Sequence, residues 1–461
     1  MFDEKTKSYR LDDKPKILHG EGELRAALFK QRLLMTQQRL LRDGHFTQSK
    51  MSAKNTNKGK YSDSIIELST IESLLGSEGT KCLFGMLTQP ESGKIFLEDL
   101  TSSIQLDLSA CEVYDPNVFY TLGSQVIVSG ELKDRVFRTS QLMFPPAESR
   151  AKSLSAMNLL DPYGKFIRPD KKVQLQEMEN ESQASMFIIL SDILLDKPGV
   201  FDKLQKLFEG YEGIQQYLPP NDPLVFILMG SFVSVKERGS SGRESIKAAF
   251  QLLSDAICNC PYLAEMARFI IIPGPQDPGL SIVLPRQCIP EEFSSEMSKK
   301  IKHMYFSSNP SRIRYYTQDI VIFREDLLKK IQRNTVNLKP LSEGNGNSNN
   351  GIEKCDEYEM LTNTLLKQGH LSPLPLDIRP IYWDLDYTLS LNPLPDLLIV
   401  GDVTDQYVHE HEGTISVNPG SFTSDSSFVC YRPYCEDDGN SDSSIRRFGA
   451  NGTKVIEFSK L

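Results

Sequence analysis

The chain has 461 residues, of which 39% are hydrophobic and 25% charged, a composition typical of globular proteins with a sizeable core. Its formal net charge of −9 argues against a protein whose main activity is to grip nucleic acid, because phosphate neutralisation requires a basic surface. The 8 cysteines are scattered without a Cys-x2-Cys pair, which is typical of reduced thiols in a cytosolic or nuclear protein.

The first part of the chain predicts a helix, a flexible link and a small β-barrel. Residues 20–43 carry leucines at helical spacing, and the polar, basic stretch from His45 to Ser62 indicates the link. Further on, Gly, Asp and Ser turns separate five β-rich runs, at 82–89, 93–100, 103–108, 125–132 and 135–144. So many short strands favour an OB-fold. Acidic residues lie beside the phenylalanines of these strands, so we expect the barrel to contact protein. Nucleic-acid binding by the barrel stays the alternative.

The second part alternates apolar strands with amphipathic helices, which predicts an α/β domain. The strands read as runs covered on both faces, at 186–190, 224–229, 268–272, 319–323 and 396–400. Helical spacing of apolar residues lies between them, at 201–211, 244–257 and 357–368. The single tryptophan, Trp383, lies in an alternating run over 381–389 that predicts a strand and core packing.

These patterns together predict an α/β protein with an additional small β domain. We expect a helical lead-in and linker over 1–62, the barrel domain over 63–150, a second linker over 151–185 and the α/β domain over 186–461. Two segments of loop-like composition inside the last domain are expected to be disordered inserts, at 342–351 and 436–444.

Polar residues follow the predicted strands, at the edge where α/β sheets form their sites. Their order and spacing resemble the calcineurin-like metallophosphoesterases, whose active members carry Asp-x-His, Gly-Asp-x-x-Asp, Gly-Asn-His-Asp, a lone His and Gly-His-x-His at these strand ends. Such centres surround two metal ions with carboxylate and imidazole ligands. In this sequence the corresponding segments begin at Asp192, Gly230, Gly274, His370 and Gly401.

Residue by residue, this resemblance implies a metal centre that has been dismantled. Asp192, Asp277 and His370 keep a side chain of the ligand type, but other side chains replace the remaining ligands: Leu194, Ser231, Ser234, Pro275, Gln276, Asp402 and Thr404. We therefore expect no metal, no other cofactor and no phosphoesterase activity. Asp192 is expected to be a turn residue at the strand end, and His370 a structural hydrogen-bonding group.

Several long motifs resemble the B-subunits of the eukaryotic replicative DNA polymerases more closely. They lie at 93–109, 226–234, 272–279, 308–328 and 370–400, and they are similar to the epsilon members in particular. The phrase IPGPQDPG (272–279) takes the place of the Gly-Asn-His-Asp motif. This resemblance implies an OB-fold joined to an inactive calcineurin-like phosphoesterase domain. It also implies a non-catalytic accessory subunit rather than an enzyme.

The resemblance also implies partners and a location. We expect a nuclear protein that supports chromosomal DNA replication by binding the zinc-bearing C-terminal region of the catalytic subunit of DNA polymerase epsilon. Small histone-fold subunits and helicase components of the replication fork are further expected partners, with weak or indirect DNA contact and no membrane contact. The alternatives are the B-subunit of polymerase delta or alpha, an active metallophosphoesterase, and a single-stranded DNA-binding protein.

Overall fold

The computed structural model describes most of the chain, and the statements below concern the described residues. These are 2–3, 8–9, 15–48, 65–91, 93–109, 111–157, 169–219, 222, 224–234, 240–277, 282–336, 338, 356–435, 444–449 and 453–461. The predicted insert 342–351 lies outside them, as do 436–443 of the second insert and 49–62 of the predicted link. Among the described helices, none combines the length and apolar composition that crossing a membrane requires.

Helices and strands are numbered in chain order. The helices are α1 (Gly22–Arg42), α2 (Arg150–Ala156), α3 (Pro169–Glu181), α4 (Val200–Gln215), α5 (Ser240–Cys258), α6 (Pro261–Met266), α7 (Glu291–Lys300), α8 (Leu328–Arg333), α9 (Glu357–Gln368) and α10 (Phe422–Asp425). The strands are β1 (Phe2–Asp3), β2 (Ser8–Tyr9), β3 (Phe46–Gln48), β4 (Ile66–Ser69), β5 (Lys81–Glu91), β6 (Lys94–Glu98), β7 (Ser103–Asp107), β8 (Val113–Tyr114), β9 (Gln125–Lys133), β10 (Val136–Met143), β11 (Phe187–Leu190), β12 (Val225–Met229), β13 (Arg268–Ile272), β14 (Met304–Phe306), β15 (Ser311–Tyr315), β16 (Gln318–Arg324), β17 (Leu397–Gly401), β18 (Tyr407–His411), β19 (Thr414–Asn418), β20 (Ser427–Arg432), β21 (Ile445–Phe448) and β22 (Lys454–Lys460).

The chain divides into two compact units. We call the first the barrel unit, which comprises Pro15–Glu148 and Lys329–Asn392. We call the second the sandwich unit, which comprises Met1–Lys14, Ser149–Leu328 and Pro393–Leu461. Each unit is therefore built from segments that are distant in sequence.

A closed five-stranded barrel forms the core of the barrel unit. β5 pairs with β6, β6 with β7, and β9 with both β5 and β10, all antiparallel. The parallel pairing of β7 with β10 closes the ring. Alternate apolar residues point to its interior, where Leu87, Val128 and Phe137 are fully buried. The five strands predicted for this region are confirmed.

Helix α1 belongs to the barrel unit rather than to a separate lead-in. Its buried residues Leu33 and Leu40 share a hydrophobic core with Phe84 of β5 and Ile127 of β9. Burying such a leucine stripe stabilises a helix more than its intrinsic propensity does, so α1 needs the barrel to pack against. The predicted boundary at residue 62 therefore differs from the unit that the structure shows.

Residues 329–392 also belong to the barrel unit, whereas the sequence assigned them to the α/β domain. Helix α9 docks through a reciprocal pair of hydrogen bonds. The backbone N–H of Gln125 donates to Gln368 Oε1 at 2.8 Å, and Gln368 Nε2 donates to the Gln125 carbonyl at 2.9 Å. Such pairing joins residues far apart in sequence, and helical periodicity alone carries no signal for it.

The stretch around Trp383 corrects another prediction. It forms a 3-10 helix (Trp383–Leu389) instead of a strand, and the indole is half-buried. Its polar residues point to specific partners, because Asp384 accepts the backbone N–H of Ile17 at 2.9 Å and Asp386 accepts hydrogen bonds from an arginine. The alternation of polar and apolar residues thus reflects these contacts and not the two faces of a strand.

Two sheets packed face to face build the sandwich unit. One has the strand order β14-β13-β12-β11-β20-β22-β21, and the other has the order β15-β16-β17-β19-β18. The apolar runs predicted as strands form β11, β12, β13, β16 and β17, each within one residue at either end. These predictions are confirmed.

Burial on both faces explains why those strands are almost continuously apolar. Residues of one face, such as Phe226 of β12 and Phe269 of β13, pack in a core with helices α4, α5, α6 and α7. Their neighbours on the other face, such as Ile227, share a second core with Ile399 of the opposite sheet. The predicted linker over 151–185 contains α2 and α3, so part of it is structured.

Gly130 of β9 generates a testable prediction, because a side chain there would collide with the backbone of β10. A Cβ at this position would lie against the carbonyl of Arg138, well inside van der Waals contact. We expect Gly130→Ala to lower the free energy of unfolding by about 1–3 kcal/mol through overpacking. Urea unfolding followed by the fluorescence of Trp383, which lies in the same unit, measures this change.

Gly22→Ala is the matched control, because nothing lies within 4 Å of an added Cβ there. This variant should leave the stability unchanged or raise it by up to about 1 kcal/mol, because alanine restricts the unfolded chain. Equal stability of the two variants would contradict the close approach of β9 to β10.

Candidate functional site

The carboxyl ends of β11, β12, β13, β16 and β17 meet in one cluster of the sandwich unit. Glycines permit this approach, since a Cβ on Gly401 would lie 2.6 Å from Ser191 Oγ and 3.0 Å from the Arg324 Cδ. A Cβ on Gly230 would collide with the Asp277 carboxylate, and one on Gly274 with the backbone of Gly230. Only glycine therefore fits at these three strand ends.

The guanidinium of Arg324, the last residue of β16, lies at the centre of this cluster. The side chain is 1% exposed. Its Nε donates to the Gly230 carbonyl, its Nη1 donates to Asp326 Oδ1 at 2.7 Å and to the Gly401 carbonyl at 3.0 Å, and its Nη2 reaches Asp192 Oδ1 at 3.4 Å. Burial alone would lower the pKa of Arg324, but the carboxylates of Asp326 and Asp192 raise it. The guanidinium is therefore a permanent positive charge.

Asp192 is held by the segment that follows β19 as well as by Arg324. Its Oδ2 accepts the Ser421 hydroxyl at 2.7 Å, and its carbonyl accepts the Thr423 hydroxyl at 2.5 Å. The Leu194 backbone N–H donates to the same Thr423 hydroxyl oxygen at 2.9 Å. Asp192 adopts a positive φ of 57°, a left-handed conformation that aspartate tolerates better than most residues. Its carboxylate thus has two fixed partners.

The residues at the ends of β12 and β13 bind each other. Asp277 is buried, and its carboxylate accepts the backbone N–H groups of Phe232 at 2.5 Å and Gly274 at 2.7 Å. Burial raises the pKa of Asp277, although these two donors oppose the shift. The Ser231 hydroxyl accepts the backbone N–H of Gln276 at 3.2 Å. Pro275, which directly precedes Gln276, is half-buried. Ser231, Gln276 and Asp277 thereby fix one loop to the other.

The remaining predicted positions of the sandwich unit also make local contacts. The Ser234 backbone N–H and hydroxyl both donate to Asp196, the former at 3.0 Å. Asp402 Oδ2 accepts two backbone N–H groups at the start of α8, those of Leu327 at 2.7 Å and Leu328 at 3.0 Å. Burial raises the pKa of Asp402. Each carboxylate is therefore committed to backbone donors.

Asn418 organises the segment that contains Thr404. Its Nδ2 donates to the Thr404 carbonyl at 3.2 Å and to the Thr404 hydroxyl at 3.1 Å, and its Oδ1 accepts the Asp402 backbone N–H at 3.1 Å. Thr404 is thereby part of a braced turn.

A second buried network fixes the backbone of Arg324. Asn309 donates from Nδ2 to the Arg324 carbonyl at 2.7 Å and accepts the Arg324 N–H at 3.1 Å. Arg286 Nη1 donates to the same carbonyl at 3.2 Å, while its Nη2 forms an ion pair with Glu325 at 2.5 Å that is almost fully buried. The central guanidinium is therefore anchored from both its side chain and its backbone.

His370 lies in the barrel unit, where it is buried. Its Nδ1 accepts the Ser372 backbone N–H at 3.0 Å, which leaves Nε2 to donate to Asp386 Oδ1 at 3.2 Å. Arg32 forms two hydrogen bonds to the same carboxylate, at 2.9 and 2.5 Å. Burial lowers the pKa of His370, so the imidazole is neutral at pH 7. Its contacts are those of a structural residue.

Within the described residues, no group of three or more His, Cys, Asp or Glu side chains is arranged to hold a metal ion. Arg324 was not predicted as part of the site, although the sequence carried a signal. The triplet Arg324-Glu325-Asp326 directly follows an apolar strand, and a charged residue that ends such a strand is a candidate for a buried ion pair.

Comparison with known families adds a separate line of information. The family model for the B-subunit of DNA polymerases alpha and epsilon matches residues 187–409, and the model for the "DNA polymerase epsilon subunit 2-like, OB-fold domain" matches residues 23–146. The chain is 36% identical to the DNA polymerase epsilon B-subunit of Arabidopsis thaliana, over 90% of this chain and 76% of that protein. It is 35% identical to DNA polymerase epsilon subunit 2 of Homo sapiens, over 88% of this chain and 73% of that protein.

The chain belongs to the DNA polymerase epsilon B-subunit family. The matches confirm the predicted family and the predicted OB-fold. Members of this family are accessory and not catalytic subunits of the polymerase. The OB-fold match begins at residue 23, in agreement with the packing of α1 on the barrel of this B-subunit.

Two solved structures show a distant resemblance to this chain. A novel archaeal phosphodiesterase is 11% identical with a TM-score of 0.26, over 53% of this chain and 92% of that chain. Vacuolar protein sorting 29 from Cryptosporidium parvum is 9% identical with a TM-score of 0.23, over 60% of this chain and 97% of that chain. Values this low do not establish a common fold.

Removal of the central guanidinium should destabilise the sandwich unit. In Arg324→Met, the carboxylates of Asp192 and Asp326 lose their buried counter-charge, and we expect the free energy of unfolding to fall by about 3–5 kcal/mol. Amide hydrogen exchange of β11, β12 and β17 measures this loss within the sandwich unit.

Arg268→Met is the control for this prediction, because Arg268 is exposed at the start of β13. Its effect should stay below about 0.5 kcal/mol. A similar small effect at Arg324 would show that the carboxylates do not depend on the guanidinium.

The Arg32–Asp386 pair of the barrel unit predicts a pH dependence. Burial alone would raise the pKa of Asp386, but Arg32 and His370 hold it well below its usual value of 3.8. The pair therefore contributes stability above pH 3.8 that is lost as the pH falls through the depressed pKa. We expect Arg32→Met to cost about 3 kcal/mol at pH 7 and progressively less below about pH 4.

Trp383 fluorescence during urea unfolding at several pH values reports this difference in the barrel unit. Arg25→Met is the control, since Arg25 is an exposed residue of the same helix. A difference that stays constant down to acidic pH would rule out the ion pair as its source.

Proposed function

We propose that this epsilon B-subunit is a scaffold whose strand-end cluster is a phosphoesterase-like centre that has become inert. The observation that carries this proposal is the buried guanidinium of Arg324, which is bonded to Asp192 and Asp326. A fixed cation lies among the carboxylates that would otherwise attract metal ions. A divalent cation placed there would be repelled by the guanidinium and would compete with it for the same oxygens.

The substitutions around Arg324 support the same conclusion. Leu194 and Pro275 carry no ligand atom in their side chains, and Asp277 and Asp402 each accept two backbone N–H groups. A carboxylate that caps backbone donors has fewer lone pairs left for a metal. The donor set for a two-metal mechanism is therefore incomplete.

The partner follows from the family. The relatives are named as subunits of DNA polymerase epsilon, and we propose that this chain binds the catalytic subunit of that polymerase through the zinc-bearing C-terminal region of that partner. Two hydrophobic cores make the sandwich unit a rigid platform for such binding. A nuclear location, contact with small histone-fold subunits and helicase components, and weak or indirect contact with DNA belong to the same proposal.

The test combines activity with assembly. We expect the full chain to show no hydrolysis of bis-(p-nitrophenyl) phosphate with manganese, measured beside an active metallophosphoesterase. We also expect it to form a stoichiometric complex with the C-terminal region of the epsilon catalytic subunit when the two are co-expressed. The corresponding region of the delta catalytic subunit is the specificity control.

Metal-dependent hydrolysis that disappears in Asp192→Asn would overturn the inert centre, because a contaminating enzyme would not respond to that change. Equal binding of the epsilon and delta regions, or binding of neither, would overturn the assignment of the partner. The two readouts are independent, so each part of the proposal can fail alone.

A further inference from the structure

An open groove lies on the surface of the barrel unit, away from the contacts described above. It encloses about 1000 Å³ and is lined by β6, β7, the turn between β9 and β10, and the end of α8. The barrel is closed, so the strands at this groove have no free edge to which another strand could be added. A ligand must therefore be recognised by side chains.

The groove is basic although the chain as a whole is acidic. Four basic side chains line it, Lys94, Lys133, Arg138 and Arg333, against two acidic ones, Asp107 and Asp134. Asp107 is engaged locally, because its Oδ1 accepts the backbone N–H of Ser109 at 2.9 Å. This local excess of positive charge contrasts with the net charge of −9. It favours an anionic ligand.

These cations are available to a ligand. Arg138 and Arg333 are exposed, and neither has an ion-pair partner within the described part of the chain. Lys94 pairs with Glu91 at 2.7 Å and Lys133 pairs with Glu131 at 3.4 Å, but all four side chains are about half exposed. Exposed pairs of this kind contribute little and exchange easily.

The uncharged residues that line the groove favour a peptide over a nucleic acid as its ligand. Ile95, Leu108 and Val136 are half-buried and give the groove an aliphatic surface. Among its described lining residues none is aromatic, so the platform on which single-stranded bases stack is lacking. The amides of Gln89 and Gln105 can bond to a peptide backbone.

We propose that this groove binds an extended acidic segment of a partner protein, in which Asp or Glu residues alternate with aliphatic ones. The acidic side chains would pair with Arg138 and Arg333, whose planar guanidinium groups suit carboxylates. The aliphatic side chains would pack on Ile95 and Val136. This binding does not depend on the inert centre or on the catalytic subunit, and it can fail without affecting either.

The experiment measures fluorescence anisotropy of labelled probes with the full chain. The probes are a peptide that alternates Glu and Leu, a peptide that alternates Lys and Leu, and an oligothymidylate. We expect the Glu-Leu peptide to bind most tightly and to weaken with added salt. Arg138→Glu and Arg333→Glu should each weaken it by about tenfold. Arg25→Glu, a reversal at an exposed residue of α1, should leave it unchanged.

Three results would overturn the proposal. One is tighter binding of oligothymidylate, which would make the groove a nucleic-acid site. Another is equal affinity for the Lys-Leu peptide, which would show that charge plays no part. The third is that the unsubstituted chain does not bind the Glu-Leu peptide, or that Arg138→Glu and Arg333→Glu bind it as tightly as the unsubstituted chain does. Trp383 fluorescence verifies that the barrel unit of each variant is folded.

Discussion

The buried guanidinium of Arg324 organises the strand ends of the sandwich unit. The guanidinium of Arg324 binds two carboxylates and two backbone carbonyls, those of Gly230 and Gly401, which lie at the ends of strands from the two opposite sheets. Five N–H donors on a rigid plane can satisfy several acceptors at once, and no other side chain offers this. Without it, acidic groups and carbonyl oxygens would face each other in a buried space at a considerable cost in free energy.

The residues around Arg324 hold its guanidinium in place. Asn309 and Arg286 fix the Arg324 carbonyl, and the nearly buried Arg286–Glu325 pair fixes Arg286 in turn. Glycine at 230 and 401 lets the strand ends approach close enough for their carbonyls to reach the guanidinium. These glycines begin segments that resemble metallophosphoesterase motifs, and here they permit close packing around an arginine.

How far sequence predicts this molecule depends on whether the signal is local. β11, β12, β13, β16 and β17 were predicted within one residue because burial on both faces imposes a continuous apolar run. The stretch 381–389 was predicted wrongly, because the partners of Asp384 and Asp386 lie far away in sequence. At the strand ends, the sequence shows which residues differ from the ligands of the metallophosphoesterases that it resembles, but these differences do not reveal which side chain lies at the centre of the cluster. Only the packing of the two sheets against each other brings the end of β16 to the end of β11 and places Arg324 beside Asp192.

If this cluster is an inert phosphoesterase-like centre, as we propose, the contacts of its residues also oppose the recovery of a metal site. Asp277 joins the loops after β12 and β13, Asp402 caps the start of α8, and Asn418 braces Thr404. Replacing Asp402 or Thr404 by a histidine ligand would remove one of these bonds while the guanidinium still opposed a metal ion. Removing the guanidinium alone would leave carboxylates unpaired and the ligand set still incomplete. Changes at Asp402, Thr404 and Arg324 are therefore each unfavourable when made alone, which stabilises the cluster as an architectural element.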